Sequence, residues 1–223
     1  MLTIVFDLDG TLIDTAPDLI STLNLILARE GMAAIPFEAA RRMIGGGARA
    51  MIEKAVAAEG RDGSKAEIDR MVGHFIDHYA AHIADHSRPF PRLEPVLDRL
   101  ADKGHRLAVC TNKLEWLSVK LLKSLDLARR FDVICGQDTF GVQKPNPEVL
   151  RRTILQAGGA LDRAIMVGDS GTDIRTARAA CVPVIAVNFG YSEVPIETWQ
   201  PDRIIASYDE LERAIGALAS ALA

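Results

Sequence analysis

Cysteine is scarce. Only three occur in 223 residues, Cys110, Cys135 and Cys181, too few and too far apart for a disulfide framework. No two stand at a C-x-x-C spacing, which argues against a structural zinc site. No stretch reaches the ~18 consecutive apolar residues that a membrane helix needs. The opening run Met1-Leu2-Thr3-Ile4-Val5-Phe6 lacks the charged segment and cleavage site of a secretory leader, so the reduced cytoplasm is the expected compartment. No long basic run occurs. Lys and Arg number 26 against 30 Asp and Glu, a net charge of −4, and the Arg pairs are scattered. These features speak against nucleic-acid and membrane-surface binding. No repeat and no low-complexity segment is visible.

What remains is ordinary globular composition, 48% apolar and 25% charged. The length suits one domain, or one domain carrying an insertion. Short apolar runs of buried-strand character recur at Leu2–Phe6, Arg106–Cys110, Val133–Cys135, Ala164–Val167 and Val184–Val187, with Arg203–Ile205 weaker. Helix-period segments separate most of them: Leu93–Asp102, Leu114–Leu125, Pro147–Ala157 and Thr172–Ala180. This alternation predicts βαβ units and an α/β fold with a parallel sheet covered on both faces.

The alternation has one gap. Between Phe6 and Arg106 no convincing strand appears, and residues 16–84 read as helices. Pro17 sits early in the first and Gly31 caps its end. Further helices fit Phe37–Met43, Ala48–Glu59 and about Lys65 to Ala84. The expected organisation is a catalytic core of residues 1–15 and 85–223, with residues 16–84 inserted as an all-helical cap. Leu12–Ala16 and Asp85–Arg92 are the expected connectors.

Ligands of open α/β sheets sit at the carboxyl ends of the strands. There the chain places Asp7-Leu8-Asp9-Gly10-Thr11, Thr111-Asn112-Lys113, Lys144-Pro145-Asn146-Pro147 and Gly168-Asp169-Ser170-Gly171-Thr172-Asp173. Asp7, Asp9, Asp169 and Asp173 cannot all ionise in one cleft without a counter-ion. Oxygen donors alone suit Mg²⁺. With Lys144 the cation balances a phosphate dianion, so that a carboxylate can approach phosphorus. The pattern points to phosphoryl transfer with a carboxylate nucleophile.

These four stretches, in this order and spacing, resemble the haloacid dehalogenase-like hydrolase superfamily over nearly the full length. Asp7-Leu8-Asp9-Gly10-Thr11-Leu12 matches its first motif, Thr111 its second, Lys144 its third, and Gly168 to Asp173 its fourth. Asp14-Thr15-Ala16-Pro17-Asp18-Leu19, Thr111-Asn112-Lys113 and Lys144-Pro145-Asn146-Pro147 look most like its phosphoglycolate phosphatases. One departure is Phe90-Pro91-Arg92-Leu93, where those enzymes carry a Tyr-Pro-Gly-Val-like turn. The resemblance implies a Rossmann-like core with a helical cap and a small-molecule phosphate ester as partner. It implies Asp7 as nucleophile and Asp9 as acid and base. Mg²⁺ is then held by Asp7, the Asp9 carbonyl and Asp169, with Asp173 behind them. Thr111, Asn112 and Lys144 contact phosphate. Asp9 selects phosphate-ester over dehalogenase or phosphonatase chemistry. A phosphomutase of the β-phosphoglucomutase type, or a phosphatase for another sugar phosphate or pyrophosphate, is the enzymatic alternative. A non-catalytic protein on this fold is expected to lack one of the acids.

Other features admit blander readings. Gly45-Gly46-Gly47-Ala48-Arg49-Ala50 fits a dinucleotide fingerprint, but that fingerprint needs a preceding strand. The cap resemblance instead puts these glycines, Gly46 among them, and Arg49 over the substrate. His74, His78, His82 and His86 recur every fourth residue and read as a surface or packing stripe more than a metal stripe. Thr111 alone reads as an N-cap for the helix from Leu114. Cys110 reads as a small buried hydrophobe.

Overall fold

Residues alternate in role along the first strand. Ile4 and Phe6 join one apolar cluster and Val5 the other, as expected where successive side chains point to opposite faces of a sheet covered on both sides. The computed structural model describes residues 1–220; the last three residues of the expected core segment lie outside that range. The central strands are β1 (Thr3–Phe6), β4 (Arg106–Cys110) and β6 (Ala164–Gly168), with β5 (Val133–Cys135), β7 (Val184–Val187) and β8 (Arg203–Ile205) outside them. They form one six-stranded sheet in the order β5-β4-β1-β6-β7-β8. Every pairing is parallel, with Thr3 opposite both Arg106 and Ala164.

Helices α7 (Pro147–Gln156) and α8 (Gly171–Ala180) cover one face through Val149, Leu150, Ile154, Ile174 and Ala177. The other face receives α5 (Leu93–Asp102), α6 (Glu115–Ser124) and α9 (Leu211–Ala219). The expected strands and core helices agree with these to within two residues; α9 has no counterpart in the sequence reading. Cys110 is fully buried in β4, and burial pushes its thiol up to about 12. Among the described residues no helix is long and apolar enough to cross a membrane.

The interruption after β1 holds α1 (Ala16–Arg29), α2 (Phe37–Arg41), α3 (Gly47–Ala58) and α4 (Lys65–Ala81). Their apolar faces pack on one another and run into the same cluster as α5 and α6. One correction concerns the connectors. They are not strandless: β2 (Ile13–Asp14) and β3 (Arg88–Pro89) pair antiparallel. Two residues per strand leave no periodicity to read. The histidine stripe is also shorter than expected. Helix α4 ends at Ala81, so His82 caps it and His86 lies beyond. His78 and His82 stack at 4.5 Å, and His82 Nδ1 lies 2.8 Å from Asp85.

Asp18 ties the outgoing and returning chain together. It is 3% exposed on α1. Its carboxylate accepts hydrogen bonds from the His86 N–H at 3.0 Å, the Ser87 N–H at 2.7 Å and the Ser87 hydroxyl at 2.6 Å. Asp18→Ala strands these donors, and charge-assisted bonds of this kind are each worth ~1.5–3 kcal/mol. A loss near 3 kcal/mol lowers Tm by roughly 6–12 °C at this chain length. Thermal denaturation checks this; a drop below about 2 °C would show that the clasp contributes less than about 1 kcal/mol.

Candidate active site

Counting only the core strands along the chain, the sheet order reverses direction between β1 and β6, and at such a switch point the connections leave to opposite sides and open a crevice. Asp7 leaves β1 and Asp169 leaves β6 at that crevice. Their backbones are joined there, the Asp7 N–H donating to Val167 O at 2.9 Å. Gly10 turns the chain at φ 81°, and a Cβ there would stand 2.4 Å from an Asp169 oxygen. Both the left-handed backbone and the close approach demand glycine. The turn also brings Thr11 round, so that its hydroxyl donates to Asp169 Oδ1 at 3.2 Å.

Asp7, Asp169 and Asp173 hold carboxylate oxygens within 4.8 Å of one another, all buried. Lys144 enters from the loop before α7. Its ammonium lies 2.8 Å from Asp7 Oδ1 and 2.6 Å from Asp173 Oδ1. Burial alone lowers a lysine, but Asp173 and Asp7 outweigh it and hold Lys144 above its ordinary value. Burial first, and the neighbouring carboxylates with it, pushes Asp7 up to about 6, with Lys144 pulling the other way. Asp169 is raised well above the ordinary range by burial and then by Asp173 and Asp7. One ammonium does not neutralise three buried carboxylates.

The three acids differ in how their lone pairs are used. Asp173 is spent: Oδ2 accepts from the Ser170 N–H and hydroxyl as the capping box of α8, and Oδ1 meets Lys144. Asp7 Oδ1 has no hydrogen-bond partner of proper geometry, although it lies against the Lys144 charge. Asp169 accepts from Thr11 and from the Tyr191 N–H at 2.6 Å. An oxygen-only donor set and excess buried negative charge fit a hard divalent cation. Asp7, Asp169 and Asp173 are the buried carboxylates that could hold it, and Asp173 also fixes Lys144.

Asp9 lies at the edge of this cluster. Its carboxylate accepts from the Thr15 hydroxyl at 2.8 Å and meets the Lys113 ammonium at 3.0 Å. Thr111 is 2% exposed and lines the cavity above Asp7 and Asp9. It is not the N-cap of α6, a place taken by Leu114; its hydroxyl accepts from the Lys113 N–H at 3.2 Å. The Asn112 side chain does not turn to the cavity with its bonds free. Its carbonyl accepts from the Lys144 N–H, and its amide donates to Lys144 O and Gly45 O. Asn112 therefore clasps the lysine loop to the helical insertion.

The glycine turn comes over the site, but Gly45 and Gly47 line the cavity and Gly46 does not. Gly46 is the N-cap of α3 and packs toward Ala50. A Cβ on Gly47 would stand 3.0 Å from Asn112 O, so this turn touches the core directly. Arg49 borders the cavity, yet its guanidinium is bound to Asp69 and lies 3.7 Å from Glu53, half exposed. Two further groups were given no role from sequence. Lys113 stands in the quoted Thr111-Asn112-Lys113 stretch, and Tyr79 is a buried position of α4. Nothing in the sequence reveals that both face Asp9.

The profile of the haloacid dehalogenase-like hydrolases matches residues 4–187. A phosphoglycolate phosphatase of Mesorhizobium japonicum is 49% identical over 208 residues, covering 93% of this chain and 92% of that protein. That of Agrobacterium fabrum is 45% identical, covering 95% and 91%. Among solved structures, a predicted phosphoglycolate phosphatase from Haemophilus somnus superposes with a TM-score of 0.88 at 25% identity, over 96% of this chain and 97% of that one. By profile, by relatives along nearly its whole length and by fold, the chain belongs to the haloacid dehalogenase-like hydrolases.

Proposed function

We propose that this hydrolase is a Mg²⁺-dependent phosphatase that cleaves a small phosphomonoester through an aspartyl-phosphate on Asp7, with phosphoglycolate as substrate. The observation that carries the reading is the charge arrangement: three buried carboxylates share one ammonium, and Asp9 stands two residues beyond Asp7 with its own partners. The named relatives support the substrate, since phosphoglycolate phosphatases match at up to 49% identity.

Asp7 attacks phosphorus, and the bond from phosphorus to the alcohol oxygen breaks. Asp9 gives its proton to the departing oxygen, then takes one from the water that hydrolyses the acyl phosphate. Inorganic phosphate leaves and Asp7 is free again. Lys144 stays between Asp7 and Asp173 throughout and offsets charge on the transferring group. Thr111 and nearby N–H groups hold phosphate oxygens. When bound, Mg²⁺ supplies Lewis-acid charge that lets an anionic nucleophile approach a phosphate dianion. The helical insertion carries the walls that cover this chemistry, and closure over the substrate excludes water.

Asp7→Asn keeps the shape and removes the attacking charge. Turnover of phosphoglycolate should fall by about 10³ or more, the scale for loss of a central catalytic group, with the circular dichroism spectrum unchanged. Near-normal turnover would refute the covalent mechanism.

Cation binding should also show in stability. Asp7 is raised from 3.8 to about 6. Between those values the folded, metal-free chain holds a proton that the unfolded chain has lost, so its stability falls as pH rises through that window. A divalent cation competes with that proton and stabilises the folded state by mass action. Saturating Mg²⁺ should raise Tm by several degrees at a pH about 1.5 units above the raised value, and by clearly less about one unit below it. Differential scanning fluorimetry at the two pH values reads this. No rise at the higher pH would remove the cation from the account.

A further inference from the structure

Between the helical insertion and the strand ends lies a cavity of about 230 Å³ that reaches down to Asp7 and Asp9. Its walls are mainly apolar, with Leu19, Ile44, Met51, Val72, Phe75 and Leu117 among them. Among the polar groups that interrupt these walls, Lys113 and Tyr79 lie together beside Asp9. The Lys113 side chain is only 6% exposed, and its ammonium lies 3.0 Å from Asp9 Oδ2 and 4.5 Å from the centre of the Tyr79 ring. Tyr79 is 1% exposed; its hydroxyl makes no hydrogen bond of proper geometry, and its polar neighbour is the Lys113 ammonium, which leaves the hydroxyl hydrogen free to donate. Buried hydroxyls in folded proteins nearly always have a hydrogen-bond partner. A donor left unpaired on a cavity wall beside a buried ammonium is placed for an acceptor that arrives with a ligand.

We propose that Lys113 and Tyr79 form a carboxylate subsite that selects esters bearing a carboxylate on the same carbon as the phosphate oxygen. This rests on the reading of Asp9 as the acid for the leaving oxygen. That oxygen has to meet Asp9. In a 2-phosphoryloxy carboxylate the carboxylate is one carbon away from it, and Lys113 is one hydrogen bond away from Asp9. The short substrate spans the same gap as the two side chains. The carboxylate takes a charge-assisted bond from Lys113 and a second bond from the Tyr79 hydroxyl. Arg49, held at the rim by Asp69, is not needed for this contact. The mainly apolar walls offer few partners, Gln137 among them, to the hydroxyls of a sugar phosphate, which disfavours such esters.

The test compares phosphoglycolate with its neutral isostere, carbamoylmethyl phosphate, in wild type, Lys113→Met and Tyr79→Phe, each with Mg²⁺. Wild type should prefer the carboxylate by about 100-fold or more in kcat/KM, and Lys113→Met should bring that ratio to within a few-fold. Tyr79→Phe should lower the ratio by about 10-fold, the scale of one bond to a charged group. Tyr79→Phe removes an unpaired buried hydroxyl, so its Tm should be unchanged or higher. That combination separates a ligand-binding role from a structural one. Equal loss on both esters in Lys113→Met would mean that Lys113 only positions Asp9, and overturns the proposal. An unchanged ratio in Tyr79→Phe removes Tyr79 from the subsite. A wild type that hydrolyses both esters without preference refutes the subsite and leaves the phosphatase reading standing. A wild type that hydrolyses neither refutes the substrate reading on which it rests.

Discussion

The position of one buried ammonium organises the site. Lys144 lies between Asp7 and Asp173, 1% exposed, at the seam between the two halves of the sheet. An unpaired charge there carries a large desolvation penalty, and so does each carboxylate. None of the three groups is tolerable at that depth alone. Asp173 is made a fixed partner by the capping box of α8, whose donors occupy its second oxygen. Asp7 Oδ1 meets the same ammonium and no backbone or hydroxyl donor. The two carboxylates therefore differ: Asp173 is fixed by several donors, and Asp7 is held by the lysine alone.

The same lysine links the chemistry to the helical insertion. Asn112 grips the Lys144 backbone on both its N–H and its carbonyl, and the remaining amide hydrogen reaches Gly45. A shift of the glycine turn is therefore felt at the lysine loop through one side chain. On the opposite flank Tyr191 plays a comparable part. Its N–H holds Asp169, and its hydroxyl donates to Asp14 and accepts from the Ala16 N–H, where the chain enters α1. Arg41, which donates to Phe189 O and Gly190 O, adds a third brace between insertion and core.

Much of this was legible in the sequence because the signals were local. Buried parallel strands appear as short apolar runs, so the strand ends, and with them Asp7, Asp9, Thr111 and Asp169, could be located from the chain alone. Excess carboxylates at one sheet edge pointed to an acidic cluster, and the structure brings Asp7, Asp169 and Asp173 together there. What escaped depends on direction rather than identity. Asn112 and Arg49 stand where the motifs suggest, yet one turns inward to the lysine loop and the other to Asp69. Strands β2 and β3 are too short for a period, and α9 follows the last motif, where no chemistry drew attention to it. Tyr79 holds an apolar position in the pattern of α4; its hydroxyl matters only because Lys113 and Asp9 lie beneath it.

The account stands or falls on Asp7 carrying the phosphoryl group. Rapid acid quench of the Mg²⁺-loaded enzyme with phosphoglycolate, followed by borohydride reduction and peptide mass spectrometry, reads this directly. The account predicts conversion of residue 7 alone to homoserine, in proportion to the enzyme trapped during turnover. Modification at another residue, or none during demonstrable turnover, would contradict it.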